Sequence, residues 1–172
     1  MAQIKDEMLK FLSQEEIAKL IIKLAGQIEA DYEGRELIFI CPLRGSVHMT
    51  ADLMRKINLP QQVDFVYVQA TEKGGAIRMT KDISMNITGK DVLIVEEIID
   101  TGRTLSFLKN RLLSSNPNSL KIVTLLDKPA RRELPIRADY IGKTIDDRYV
   151  VGYGMDSEEK GRNYSDIYVL KN

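Results

Sequence analysis

The chain is poor in the residues that most often do chemistry unaided. Among 172 residues there is one cysteine, Cys41, and one histidine, His48. An internal disulfide is excluded, and Cys/His zinc sites and histidine-assisted nucleophiles have almost nothing to draw on. Neither sign of charge is in excess: 25 Lys and Arg balance 25 Asp and Glu. The overall charge therefore calls for no nucleic acid and no anionic membrane as partner. Long apolar runs are missing too. The first residues carry acids and no small-residue cleavage site, so neither a transmembrane helix nor a secretory signal is expected, and the expected setting is the cytoplasm. What remains, 44% hydrophobic and 29% charged residues, describes an ordinary globular chain. Its length suits a single domain spanning 1–172, with no repeat, low-complexity tract or linker.

The most informative stretch runs from Val92 to Leu105. Val92-Leu93-Ile94-Val95 is the apolar run of a strand buried on both faces of a parallel sheet. Glu96, Glu97 and Asp100 follow where that strand is expected to stop, with the small-residue turn Thr101-Gly102-Arg103-Thr104 beyond them. Leu105, Leu108, Leu112 and Leu113 then recur at helical spacing, so a helix follows from Thr104. A helix N-terminus offers unpaired N–H groups and the positive end of a dipole, which Thr101 and Thr104 hydroxyls can supplement, and Gly102 lets an anion approach the backbone closely. Glu96 and Glu97 would repel a phosphate. As acceptor-only groups they suit vicinal sugar hydroxyls on the same ligand. A ribose 5-phosphate satisfies both halves of the stretch.

That order of residues, acid-acid-two aliphatics-Asp-Thr-Gly-x-Thr after an apolar strand, resembles the phosphoribosyl-diphosphate loop of the type I phosphoribosyltransferases. The rest of the chain carries the likeness from about Ile17 to the C-terminal strand. Ser13-Gln14-Glu15-Glu16 is a capping box opening a helix to about Tyr32, with Ile17, Leu20, Ile21, Leu24 and Ile28 on one face. Leu37 to Cys41 reads as a buried strand ended by Pro42, with Cys41 in the core. Leu43-Arg44-Gly45-Ser46 then opens a helix carrying Val47, Ala51, Met54 and Ile57 on one face, with His48 in a structural place. The resemblance implies that Arg44 and Gly45 bind pyrophosphate, with a non-proline cis peptide before Arg44. Val63 to Gln69 is a further strand. The charged, glycine-bearing segment from Ala70 to Met79 suggests a lid, but it lacks the Ser-Tyr pair usual in the family, and no catalytic residue is assigned there. Leu120 to Leu126 is another strand. Strands alternating with helices imply an α/β fold: a central, mainly parallel sheet flanked by helices, with a small hood formed from the N- and C-terminal segments.

The resemblance is closest to the six-oxopurine members, the hypoxanthine-guanine phosphoribosyltransferases. Lys128, just past a strand, matches the lysine that donates to the purine 6-oxo oxygen. Ala138 to Gly142 is expected to open a small C-terminal β region, followed by a segment like the purine-binding hood. There Tyr149 would stack on the base, the Val150 backbone would read its edge, and Arg162 would meet pyrophosphate. Glu96, Glu97 and Asp156 would hold Mg2+. The implied reaction joins hypoxanthine or guanine to phosphoribosyl diphosphate, giving IMP or GMP and pyrophosphate. In it Asp100 is the general base at the five-membered-ring nitrogen, Thr101 to Thr104 cradle the 5-phosphate, Arg103 adds charge if it turns inward, and Glu96 and Glu97 hold the ribose hydroxyls. Glu97 departs from the Asp usual in the family. Related enzymes form dimers or tetramers, so a homodimer or homotetramer is expected. Two alternatives stand beside this reading: a xanthine-preferring enzyme, and a non-enzymatic nucleotide-sensing regulator that binds nucleic acid.

Overall fold

The computed structural model describes residues 8–70 and 75–170. Thr71 to Gly74, the middle of the expected lid, lie outside the described residues. The elements in chain order are β1 (Met8–Leu12), α1 (Gln14–Asp31), β2 (Leu37–Leu43), α2 (Val47–Met54), β3 (Gln61–Ala70), β4 (Ile77–Lys81), β5 (Asp91–Ile99), α3 (Arg103–Leu113), β6 (Ser119–Asp127), β7 (Tyr140–Thr144), β8 (Val150–Val151) and β9 (Ile167–Leu170). Six strands form one sheet in the order β4-β3-β2-β5-β6-β7. Only the β3–β4 pair in it is antiparallel. A separate three-stranded antiparallel sheet, β1-β9-β8, joins the two ends of the chain. Among the described residues no helix is long and apolar enough to cross a membrane.

The large sheet is buried on both faces because its strands are apolar at consecutive positions. Leu93 and Val95 of β5 belong to the core shared with α1 and α2, while Val92 and Ile94 pack with Leu105, Leu108 and Leu112 of α3 on the other side. The capping box of α1 forms: Ser13 N–H donates to Glu16 Oε2 at 2.8 Å, and Glu16 N–H to Ser13 Oγ at 3.3 Å. This closes two of the helix's open donors. Ile17, Ile21, Leu24, Ala25 and Ile28 form its buried face. Cys41 is fully buried, and burial pushes its thiol up to about 12, out of the range of a reactive thiolate.

Several expected boundaries move. Pro42 does not end β2, which continues to Leu43. Pairing with β5 stops at Ile40 while pairing with β3 runs on, so Pro42 sits where the strand is bonded on one side and its missing N–H is tolerated. The acids do not end β5 either: it stays in register with β6 to Ile99, so Glu96 and Glu97 are strand residues. Helix α2 buries Met49, Thr50 and Leu53 instead of Val47 and Ala51. The helical spacing is right but begins one residue earlier, at buried Ser46, whose hydroxyl donates to the Pro42 carbonyl at 2.6 Å. Leu113 is exposed, since Leu105, Leu108 and Leu112 complete the α3 stripe. Finally, β7 belongs to the large sheet, paired in parallel with β6, and not to a C-terminal β region.

Candidate active site

The C-terminal ends of β2, β3 and β5 open onto one cleft of about 330 Å³, the edge at which parallel sheets present their loops to ligands. On the β2 side the Leu43–Arg44 peptide is cis, as the family resemblance implied. Arg44 reaches across to the C-terminal segment, with Nη1 2.9 Å from Glu159 Oε2 and Nη2 donating to Oε1 at 3.1 Å. Arg162 pairs with Asp156 at 2.7 Å and with Glu159 at 3.3 Å. Two guanidinium groups thus face the same cleft with one carboxylate between them. Gly45 has no room for a side chain: a Cβ there would fall 1.8 Å from Glu97 Oε1.

Glu96 and Glu97 line the cleft. Burial raises the Glu96 carboxyl well above the ordinary glutamate range, and repulsion from Glu97 pushes it further. Burial also raises Glu97, against the hydrogen bond it shares with Glu96 and the opposing charge of Arg162. The Oε2 of Glu97 is buried without a hydrogen-bond partner, an atom in want of a donor or a cation. The native pair keeps protons that the unfolded chain releases. Its contribution to stability is therefore fullest below the ordinary glutamate pKa and is lost as pH rises through the raised native values. Replacing Glu97 by Gln should raise the melting temperature of the ligand-free protein at pH 8 by about 2–4 °C, and by less at pH 5. Melting curves at both pH values check this; an equal or larger gain at pH 5 would contradict it.

Past β5 the chain turns through Asp100 to Gly102 into α3. Gly102 caps the helix in the left-handed region, φ 81°, and a Cβ there would lie 2.5 Å from Ile136 Cγ2. Only glycine suits both constraints. The Thr101 hydroxyl accepts from Arg103 N–H at 3.4 Å, and Thr101, Gly102 and Thr104 all line the cleft. Arg103 does not turn inward. Its guanidinium donates to the Gly75 carbonyl at 3.3 Å and approaches Glu133 at 3.8 Å. Asp100 also lines the cleft, with its carboxylate 3.1 Å from Arg131 Nε and 4.0 Å from Lys128 Nζ.

Lys128 follows β6 and is buried, its N–H bonded to the Ile99 carbonyl at 3.0 Å. This places its ammonium beside Asp100. Tyr149 is 54% exposed, and its hydroxyl donates to the Asp156 carbonyl at 3.0 Å. Val150 is buried in β8. Glu159, Arg131 and Arg132 are charged residues at the site to which the sequence pattern gave no role. Arg131 joins Asp100 to Asp147, and Arg132 donates to the Asp100 carbonyl and the Asp127 carboxylate. A Lys-Pro-x-Arg-Arg run was the one local signal for the pair; Asp100, the partner both share, lies 31 and 32 residues away.

Among the described residues no three His, Cys, Asp or Glu side chains are grouped to hold a metal ion. A hard divalent cation that takes most of its ligands from substrate phosphates and water needs only one or two carboxylates. The partnerless oxygen of Glu97, beside the Glu96 carboxyl, fits that demand.

The chain matches the phosphoribosyl transferase domain family over residues 9–158. It is similar to the hypoxanthine-guanine phosphoribosyltransferase of Staphylococcus aureus strain Mu50, with 42% identity over 164 residues, covering 93% of this chain and 92% of the relative. Among solved structures it is similar to a hypoxanthine-guanine phosphoribosyltransferase from Bacillus anthracis with a HEPES molecule in its active site. That match has a TM-score of 0.92 at 43% identity and covers 96% of this chain and 99% of the other. A hypoxanthine phosphoribosyltransferase from Staphylococcus aureus superposes with a TM-score of 0.94 at 39% identity, covering 98% and 94%.

Proposed function

The chain belongs to the phosphoribosyltransferase family, and from that premise we propose that it is a purine-salvage enzyme acting on hypoxanthine and guanine. It transfers the 5-phosphoribosyl group of phosphoribosyl diphosphate to the base, giving IMP or GMP and pyrophosphate. The observation that carries this reading is one cleft that gathers an anion-binding helix start, two adjacent carboxylates and two arginines.

Each group has a task matched to its chemistry. The backbone and hydroxyls of Thr101 to Thr104 hold the 5-phosphate at the start of α3, where N–H groups are unpaired. Glu96 and Glu97 accept from the ribose hydroxyls. Arg44 and Arg162 take the leaving pyrophosphate in place of Glu159, with Gly45 letting the loop close over it. As pyrophosphate departs, the sugar becomes cationic, and holding base and anomeric carbon together lowers the barrier. Asp100 takes the proton from the ring nitrogen of the base. Lys128 donates to the 6-oxo oxygen, Tyr149 stacks on the ring and the Val150 backbone meets its edge. Arg103, engaged with Glu133 and Gly75, supplies the phosphate with charge from a distance at most. Glu96 and Glu97 would hold a magnesium ion together with substrate oxygens, and the ion would neutralise the diphosphate charge. Asp156 is not grouped with them and would have to leave Arg162, its partner here, to join them.

The test is turnover of hypoxanthine, guanine, xanthine and adenine, each with phosphoribosyl diphosphate and Mg2+, followed by absorbance. Conversion of hypoxanthine and guanine without adenine is expected. Conversion of xanthine alone would change the substrate and keep the mechanism; no turnover with any base would end the enzymatic reading.

A further inference from the structure

Arg132 occupies an unusual place for a side chain just outside a cleft. It follows a single 3-10 turn, Pro129–Arg131, and folds back under the Asp100–Gly102 turn. One guanidinium nitrogen, Nη1, donates to the Asp100 main-chain carbonyl; the other, Nη2, donates to Asp127 Oδ1. Both side chains are nearly buried, at 13% and 11% exposure. The contact is part of a longer brace. Glu133 N–H donates to the Thr101 carbonyl at 2.9 Å, and Gly102 packs so tightly that a Cβ would lie 3.1 Å from Arg132 Cδ. Asp127 is itself fixed, since it pairs with Ile99 at the end of β6 and its carbonyl accepts from Ile145 N–H at 2.9 Å.

The geometry points to Arg132 as a positioning residue for the phosphate turn. A peptide unit is planar and trans, so the N–H of Thr101 points opposite to the Asp100 carbonyl. Arg132 draws that carbonyl to the underside of the turn and thereby aims the Thr101 N–H at the other side, where Thr101 and Thr104 line the cleft. The same bond fixes the backbone from which the Asp100 carboxylate projects toward Arg131 and Lys128. A planar fork does this where an ammonium could not, because it meets two acceptors in fixed directions at once. Asp127 supplies the counter-charge that makes burying the fork tolerable.

This inference rests on the turn being a 5-phosphate site, so its test separates the two. The affinities of the full chain for inosine 5′-monophosphate and for inosine are measured by calorimetry, with melting curves alongside. In the wild type, a nucleotide that binds no better than the nucleoside would overturn the phosphate reading itself, and the role of Arg132 with it. If the nucleotide is preferred, Arg132→Gln should weaken its binding about tenfold or more and leave inosine binding unchanged. Arg132→Lys keeps the charge beside Asp127 without the fork and should fall between. Should the Gln variant fail to fold, the Lys variant decides alone. A purely structural role would lower both affinities together, and that result, or unchanged nucleotide binding, would overturn the proposal.

Discussion

Replacing Asp100 by Asn should lower purine turnover by about 10²-fold or more, the usual weight of a lost general base, and leave affinity for phosphoribosyl diphosphate within a few-fold of wild type. Asn has the shape of Asp and keeps an oxygen for Arg131, which lies 3.1 Å from the native carboxylate. The turn beneath it is held from elsewhere, by Arg132 on the main-chain carbonyl and by Glu133 on Thr101. The substitution therefore removes the capacity to take a proton and little besides. Binding and chemistry should separate: calorimetry with the diphosphate substrate reports the cradle, and steady-state rates report the proton acceptor. A variant that turns over at the wild-type rate would remove Asp100 from the chemistry. A variant that loses diphosphate binding equally would show that its carboxylate belongs to the cradle.

The residues lining the cleft were legible in the sequence to the extent that their places depend on local pattern. Arg44 and Gly45 follow one buried strand, Glu96 to Thr104 run from the last residues of another through the turn into α3, and a parallel sheet brings successive strand ends to one edge. Period and turn chemistry could not show what crosses that edge. Arg132 and Asp100 are 32 residues apart, and Arg44 and Glu159 are 115 apart. Such pairs follow from where β6 and the C-terminal segment come to lie. The same limit explains β7, whose short run reads equally as part of a hood or an edge of the main sheet until its pairing with β6 is known. The face of α2 was missed for a smaller reason: buried Ser46 extends the apolar stripe backwards, and a polar residue gives the periodicity no weight.

Lys128 carries the other large expectation, and with it a test that uses stability and activity in opposite directions. Its side chain is 7% exposed, and among the described residues the one carboxylate within 4.0 Å of its ammonium is that of Asp100. A cation so enclosed gives up its hydration, and an apolar side chain of similar volume in such a place is often neutral or stabilising. Met has nearly the length of Lys and no charge, so Lys128→Met should leave the melting temperature of the free protein unchanged or raised. Activity should go the other way. A 6-oxo oxygen buried against a thioether is left without a donor, which should lower kcat/KM for hypoxanthine and guanine by about 10²-fold. Adenine, whose six-amino group is a donor and gains nothing from the ammonium, should lose nothing. The ratio of hypoxanthine to adenine affinity in the two proteins, read from inhibition of guanine turnover, is the quantity to measure. An unchanged ratio would sink the donor role, and a fall in melting temperature would mean that the ammonium holds Asp100 and the β6 end in place. A stable protein with a collapsed ratio would mean that this burial is retained for base selection at the expense of stability.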